Sequence, residues 1–198
     1  MPMNFDKWRY YVRARLLEKL GNHEGALADY REALRIDPGF RWAANALAWR
    51  YASTGHYTEA IRYFAEALRL DARDAVAHYN LGFVYAKNHL TREAIGSFQS
   101  AVELNSGLDM AWYGMGLAHA TLGEHAEARE AFEKAARLQP MSAPVWYQLG
   151  MASHHARDLD RLHQVIHYLN RFEPMMAHRL INETGSTNLE YLVKDLVV

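Results

Sequence analysis

The sequence predicts an all-α chain, an array of five helix-turn-helix repeats followed by C-terminal capping helices, and three observations carry that expectation. The segment AVAHYNLGFVYAKNHLTREAIGSFQSAVELNSGL, residues 75–108, returns with small changes on both sides, and the copies begin at Lys7, Arg41, Ala75, Asp109 and Ala143, each 34 residues after the last. One turn slot reads Gly21, Gly55, His89, Gly123 and Arg157 at the same spacing. Within each copy apolar and small residues recur at helical spacing, as Ala26, Leu27, Tyr30, Ala33 and Leu34 do in the first, and Asp37-Pro38-Gly39 stops that run.

Taken in order, Asn4 is placed to cap a first helix over Phe5–Leu20, which Gly21 ends by accepting the left-handed conformation. Further helices are expected near 24–36, 41–53, 58–70, 75–87, 92–104, 109–121, 126–138, 143–155 and 160–172. Small residues Ala14, Ala48, Gly82, Gly116 and Gly150 fall where each first helix must approach its partner, and Tyr30, Phe64, Phe98, Phe132 and Ile166 fill the space beyond. Arg13 stands where later copies have Leu47, Leu81, Met115 and Leu149, which an open end of the stack tolerates. At the turns, Asn88-His89 can adopt positive φ at modest cost, while Arg157 costs more, on the order of 1 kcal/mol or above. Ser153 and Leu162 replace the usual aromatic and alanine, so the fifth copy is expected to pack irregularly. A half-repeat, Met175–Glu183, follows Pro174, and after Gly185 the run Thr187-Asn188-Leu189-Glu190 reads as a capping box. The helix it opens carries Leu189, Leu192, Val193, Leu196 and Val197 on one face, a surface that either caps the fifth repeat or meets a second molecule. The short linker favours folding back, with Leu192 and Leu196 on Met176, Leu180 and Ile181.

The slot five residues after the turn reads Ala26, Ala60, Ala94, Ala128 and Leu162, and the repeat ends read Pro38, Ala72, Ser106, Pro140 and Pro174. This order of a large residue, a Leu-Gly pair, an aromatic, an alanine, an aromatic, an alanine and a proline over 34 residues resembles the tetratricopeptide repeat, from residue 7 to residue 176. The resemblance implies a right-handed α-α superhelix over 1–176, with repeats 7–40, 41–74, 75–108, 109–142 and 143–176, and capping helices over 177–198. It also implies a protein-interaction scaffold whose first helices line a concave groove. The lysine and asparagine clamp of chaperone-binding members is absent, since those places hold Tyr11, Arg15, Ala46, Val76 and Tyr79. The asparagine ladder of glycosyl-transfer members is likewise missing, with Val12, Ala46, Asn80, Gly114 and Gln148 in its place.

Composition narrows the function classes. The 22 basic and 23 acidic side chains leave a formal charge of −1, which disfavours nucleic acid as a partner because its binding rests on clustered cations. No cysteine is present, so disulfides and thiol catalysis are excluded, and a cytoplasmic setting fits. The N-terminal residues lack the apolar core of a signal peptide, and no apolar run is long enough for membrane insertion. No nucleophile, base and oxyanion donors can be assembled, so no catalytic residue, cofactor or enzymatic activity is expected. Gly114-Met-Gly116 lacks the third glycine of a dinucleotide fingerprint and lies inside a helix. His163 and His167 are four apart and His154-His155 lies one helix earlier, but no third ligand is placed beside them, so they read as surface and no metal is expected.

Three ladders recur on the implied concave face: Trp8, Trp42, Val76, Met110, Pro144; Tyr11, Asn45, Tyr79, Tyr113, Tyr147; and Arg15, Trp49, Phe83, Leu117, Met151. The tyrosines of the second ladder also suit packing between helices. The third ladder is the sharper sign, because its slot is often polar in the family, and apolar strips of this kind mark binding sites unless the curvature buries them. The expected partner is another protein, offering an apolar peptide or amphipathic helix with its acidic end near Arg15. The charge distribution agrees: residues 7–74 hold twelve basic and nine acidic side chains, whereas residues 109–142 hold three and five. The alternative is a homo-oligomer assembled through the C-terminal apolar helix.

Overall fold

The structure, a computed structural model, describes residues 5–192, and every regular element among them is helical. The order is α1 (Phe5–Lys19), α2 (His23–Ile36), α3 (Arg41–Ser53), α4 (Tyr57–Leu70), α5 (Ala75–Lys87), α6 (Thr91–Leu104), α7 (Asp109–Thr121), α8 (His125–Leu138), α9 (Ala143–His155), α10 (Leu159–Leu169) and α11 (Pro174–Thr184), then a 3₁₀ segment, Thr187–Leu192. Two compact units divide the chain, Met1–Leu104 with α1 to α6 and Asn105–Val198 with the rest. The expected cap at Asn4 and the residues Val193, Leu196 and Val197 lie outside the described residues.

The turn slot behaves alike in all five pairs. Backbone φ is +77° at Gly21, +79° at Gly55, +61° at His89, +74° at Gly123 and +59° at Arg157. The next N–H then reaches back to a carbonyl of the last helical turn, from Asn22 to Leu17, His56 to Tyr51, Leu90 to Tyr85, Glu124 to His119 and Asp158 to Ser153, at 2.9 to 3.0 Å. These bonds satisfy helix-end acceptors that would otherwise have no partner, and they fix where the second helix starts. At the start of the first helix a ring N–H repeats the same economy: Trp112 Nε1 donates to Ser106 O at 2.9 Å and Trp146 Nε1 to Pro140 O at 2.8 Å.

Inside each pair, a small residue admits a large one. A Cβ built on Gly82 would stand 2.7 Å from the Phe98 ring, and one on Gly116 would stand 2.6 Å from the Phe132 ring. Tyr30, Phe64, Phe98 and Phe132 are consequently all but fully buried. The fifth pair corrects the expectation that Ile166 faces Gly150. Ile166 is buried, but the atom a Cβ on Gly150 would strike belongs to Leu180 of α11. The helix expected to run to residue 172 ends at Leu169, because Pro174 opens α11 and holds Glu173 extended at φ −143°, leaving 170–172 to turn the chain. With α10 shortened, α11 supplies the large side chain.

Arg13 is likewise more than tolerated. Its Nε and Nη2 each lie 2.5 Å from a carboxylate oxygen of Asp29, which is 5 % exposed. The first pair thus carries a forked ion pair at its leucine slot. At the other end Leu189 is 6 % exposed against Ala177, Leu180 and Ile181, and Leu192 packs on the same cluster, so these two side chains close their own unit. Where the run Thr187-Asn188-Leu189-Glu190 is expected to cap a further helix, the described residues form a 3₁₀ segment, in which the Leu189 N–H donates to Ser186 O at 2.9 Å.

Two substitutions test this account. Gly116→Ala should destabilise unit 2 by about 1 kcal/mol, since overpacking of roughly 1 to 3 kcal/mol exceeds a helix-propensity gain of about 1. Arg157→Gly should stabilise it by about 0.5 to 1 kcal/mol through relief of the left-handed backbone. Calorimetric melting of the two variants checks both, and opposite signs are expected.

Candidate functional face

In unit 1 the first helices α1, α3 and α5 present positions at i, i+3 and i+7 to one side, which puts the three ladders on a common face. Trp42, Trp49 and Val76 are there 49, 51 and 54 % exposed. They line a groove of about 440 Å³ together with Tyr11, Arg15 and Asn45. Trp49 and Phe83 lie 6.5 Å apart by ring centroid, with the Lys87 ammonium 5.5 Å from the Phe83 ring, and the Arg41 guanidinium covers Trp42 at 4.9 Å. The guanidinium lies on the Trp42 ring and the Phe83 ring tilts against Trp49, while about half of each tryptophan stays in water. That arrangement suits a guest with apolar side chains.

The polar lining is as informative. Asn45 lines the groove, and its Oδ1 is buried with no hydrogen-bond donor among the described residues. The Arg15 side chain is 57 % exposed, with its Nε 4.0 Å from Glu18, whose carboxylate also accepts the Tyr30 hydroxyl at 2.8 Å. Burial and that bond together hold the Tyr30 phenol well above its ordinary range. Trp8 and Tyr11 serve the fold more than the groove: both rings pack edge-on to Phe40, at 4.7 and 5.5 Å. Tyr79 packs on Phe98 at 6.0 Å. The ladders did not single out Glu18, Asp74 and Asn80, which also line the groove: Glu18 lies beyond Arg15 on α1, Asp74 caps α5 ahead of Val76, and Asn80 follows Tyr79.

Unit 2 is different. Met110 and Leu117 are 57 and 39 % exposed, and Met110, Tyr113, Gln139 and Pro144 line a hollow of about 160 Å³. Tyr113 packs on Phe132 at 5.6 Å, and burial pushes its phenol up. Tyr147 is 9 % exposed, its hydroxyl donates to Glu183 of α11, and Arg179 lies over its ring at 4.8 Å. Its ring and hydroxyl tie α9 to α11, which takes Tyr147 off the accessible face where the ladder placed it. Met151 is half-buried beside a second hollow with Gln148, His155 and Arg179. His125 lies on His155 at 4.8 Å, with His154 edge-on to His155 at 5.3 Å, and His119 Nδ1 meets Glu124 at 2.7 Å. Among the described residues, no three His, Cys, Asp or Glu side chains converge to hold a metal, and no helix is long and apolar enough to cross a membrane.

Comparison with known families finds the tetratricopeptide repeat at residues 8–40 and 110–142, and the TPR repeat at 50–88. No curated protein sequence matches the chain. Among solved structures, MamA protein aligns over 93 % of this chain and 96 % of its own, with a TM-score of 0.78 at 24 % identity. YrrB, reported as a TPR protein with an unusual peptide-binding site, aligns over 86 and 89 %, with a TM-score of 0.75 at 27 % identity. PilF of Pseudomonas aeruginosa aligns over 94 and 91 %, with a TM-score of 0.71 at 22 % identity.

The contact between Tyr147, Glu183 and Arg179 makes a pH prediction. The Tyr147 hydroxyl, then the Arg179 guanidinium, hold the Glu183 carboxyl below its ordinary pKa. A carboxyl depressed in the folded state contributes stability above its unfolded pKa and loses it as pH falls through the folded one. Between about pH 5 and pH 3 the native chain should therefore lose more melting temperature than Glu183→Gln, as thermal scans along that series would read.

Proposed function

Because this chain belongs to the tetratricopeptide repeat family, whose members are protein-interaction scaffolds, we propose that it is a non-catalytic adaptor that holds an apolar peptide or amphipathic helix of another protein on the first-helix face of unit 1. The observation that carries this reading is the pair of half-exposed indoles, Trp42 and Trp49, beside Val76 in one groove. Tryptophan is enriched among the anchors of protein interfaces, and an amphipathic guest helix presents apolar side chains at i, i+3, i+4 and i+7 to such a groove. Arg15 gives the groove a cationic end for an acidic residue of the guest. YrrB, a TPR protein of similar fold with an unusual peptide-binding site, agrees with this reading.

The test uses peptides selected on the intact protein from a random display library, followed by fluorescence anisotropy. Trp49→Ala with Phe83→Ala should weaken binding at least about 30-fold, the effect of losing about 2 kcal/mol at an anchor. The helical circular dichroism spectrum should not change. A folded double variant that binds the same peptides equally well would remove the groove from the proposal.

A further inference from the structure

In unit 2 a hollow of about 380 Å³ is lined by Tyr147, Gln148, Met151 and His155 of α9 and by Arg179 of α11, over the buried Phe132 ring. At 3.6 residues per turn the four α9 positions fall within about 100° of one another, so the helix alone brings them to one side. The side chains of Gln148, His155 and Arg179 can all donate hydrogen bonds, and none of the lining residues is acidic. The groove of unit 1, by contrast, includes Glu18 and Asp74, and a hollow lined by α8 and α10 includes Glu130 and Glu133. Among the described residues no hydrogen bond uses the Gln148 amide or the His155 ring, which rests on His125. Arg179 is fixed from behind. Its Nε donates to Glu183 Oε1 at 2.7 Å, and its guanidinium lies over the Tyr147 ring at 4.8 Å. The Tyr147 hydroxyl donates to Glu183 Oε2, so both oxygens of that carboxylate are engaged away from the hollow, whose lining it does not join. The Arg179 side chain is still 62 % exposed. Solvation of the end of an array asks only for a polar side chain there, not for a guanidinium locked by a ring and a carboxylate. A guanidinium held in this way keeps its Nη donors for a guest and loses little freedom when the guest arrives.

We propose that this hollow binds a peptide carboxylate. The Arg179 Nη groups take its oxygens, the Gln148 amide and the His155 ring donate beside them, and the neighbouring apolar side chain of the peptide lies on Met151. One guanidinium among neutral donors matches a single negative charge. A phosphate carries close to two and would find no second cation among the lining residues, so a carboxylate is the better fit. The site is also distinct from the clamp of chaperone-binding members, because its cation comes from α11, beyond the fifth pair of helices. It lies wholly within unit 2 and does not rest on the groove of unit 1.

The probes are three short peptides titrated into the intact chain at fixed ionic strength: acetyl-Ala-Leu-Leu with a free carboxylate, the same peptide as its amide, and acetyl-Ala-Leu-Glu amide. Nuclear magnetic resonance of the Arg179 Nε–H and the Gln148 side-chain amide reads the occupancy. The free acid should shift both signals below about 10 mM, and its amide should bind at least about tenfold more weakly, the effect of one charge-assisted hydrogen-bonded pair. Binding of the glutamyl peptide as tightly as the free acid would assign the site to acidic side chains as well as chain ends, and weaker binding would assign it to chain ends; both outcomes support it. Arg179→Ala should weaken the free acid at least about tenfold and leave the amide unchanged. If that variant loses helicity through the released Glu183, Gln148→Ala with His155→Ala takes its place. Equal binding of acid and amide would overturn the proposal, as would signals that stay still up to about 10 mM, or inorganic phosphate bound more tightly than the free acid. Trp49→Ala with Phe83→Ala should leave this titration unchanged, so the groove of unit 1 and this site stand or fall separately.

Discussion

Each of the first four helix pairs depends on a close approach in which a residue with little or no side chain on the first helix receives a large one from the second, and in the fifth α11 supplies it. At Gly82 and Gly116 the rings of Phe98 and Phe132 occupy the volume a Cβ would need, so shape alone sets the distance between the helices. Burying each ring contributes on the order of 2 to 3 kcal/mol, repeated in the first four pairs. The left-handed turn residues deliver the second helix to that contact. Once both are fixed, the outward positions of each first helix have only solvent or a partner to face, and Trp42 and Trp49 stand there half in water.

Much of this was legible in the sequence, because a 34-residue period overdetermines helix positions: α3, α5, α7 and α9 begin and end where the pattern places them, and all five turn slots take positive φ, including the two that lack glycine. The departures share a cause, which is that a period says nothing about neighbours that break it. Leu180 displaces Ile166 at Gly150 because α10 is cut short by Pro174, a local event whose packing consequence appears 30 residues away. Arg13 read as a tolerated misfit, and its partner Asp29 sits 16 residues on, at a position no helical periodicity connects to it.

The candidate face was legible in type and less so in detail. Spacing identified the ladders, yet spacing cannot distinguish Trp49, open to water, from Tyr147, closed by Glu183 and Arg179 of a later helix. On α1, Phe5, Val12, Leu16 and Leu20 are visible as apolar letters. Only their exposure separates them from an ordinary packing face. The division after Leu104 leaves no trace in the sequence, since the period runs through it without interruption.

The tryptophans are divided between the units by environment. Trp8, Trp42 and Trp49 in unit 1 are 41 to 51 % exposed, whereas Trp112 and Trp146 in unit 2 are partly buried with their indole N–H groups bonded to backbone carbonyls. The emission of the first group is already that of indole in a wet environment and changes colour little when its helices come apart. The second group moves from an apolar setting into water when unit 2 opens, which shifts its emission to the red. One spectrum therefore contains two separable reporters, a red-edge signal sensitive to what enters the groove and a blue-edge signal sensitive to the integrity of the C-terminal unit, with no label added.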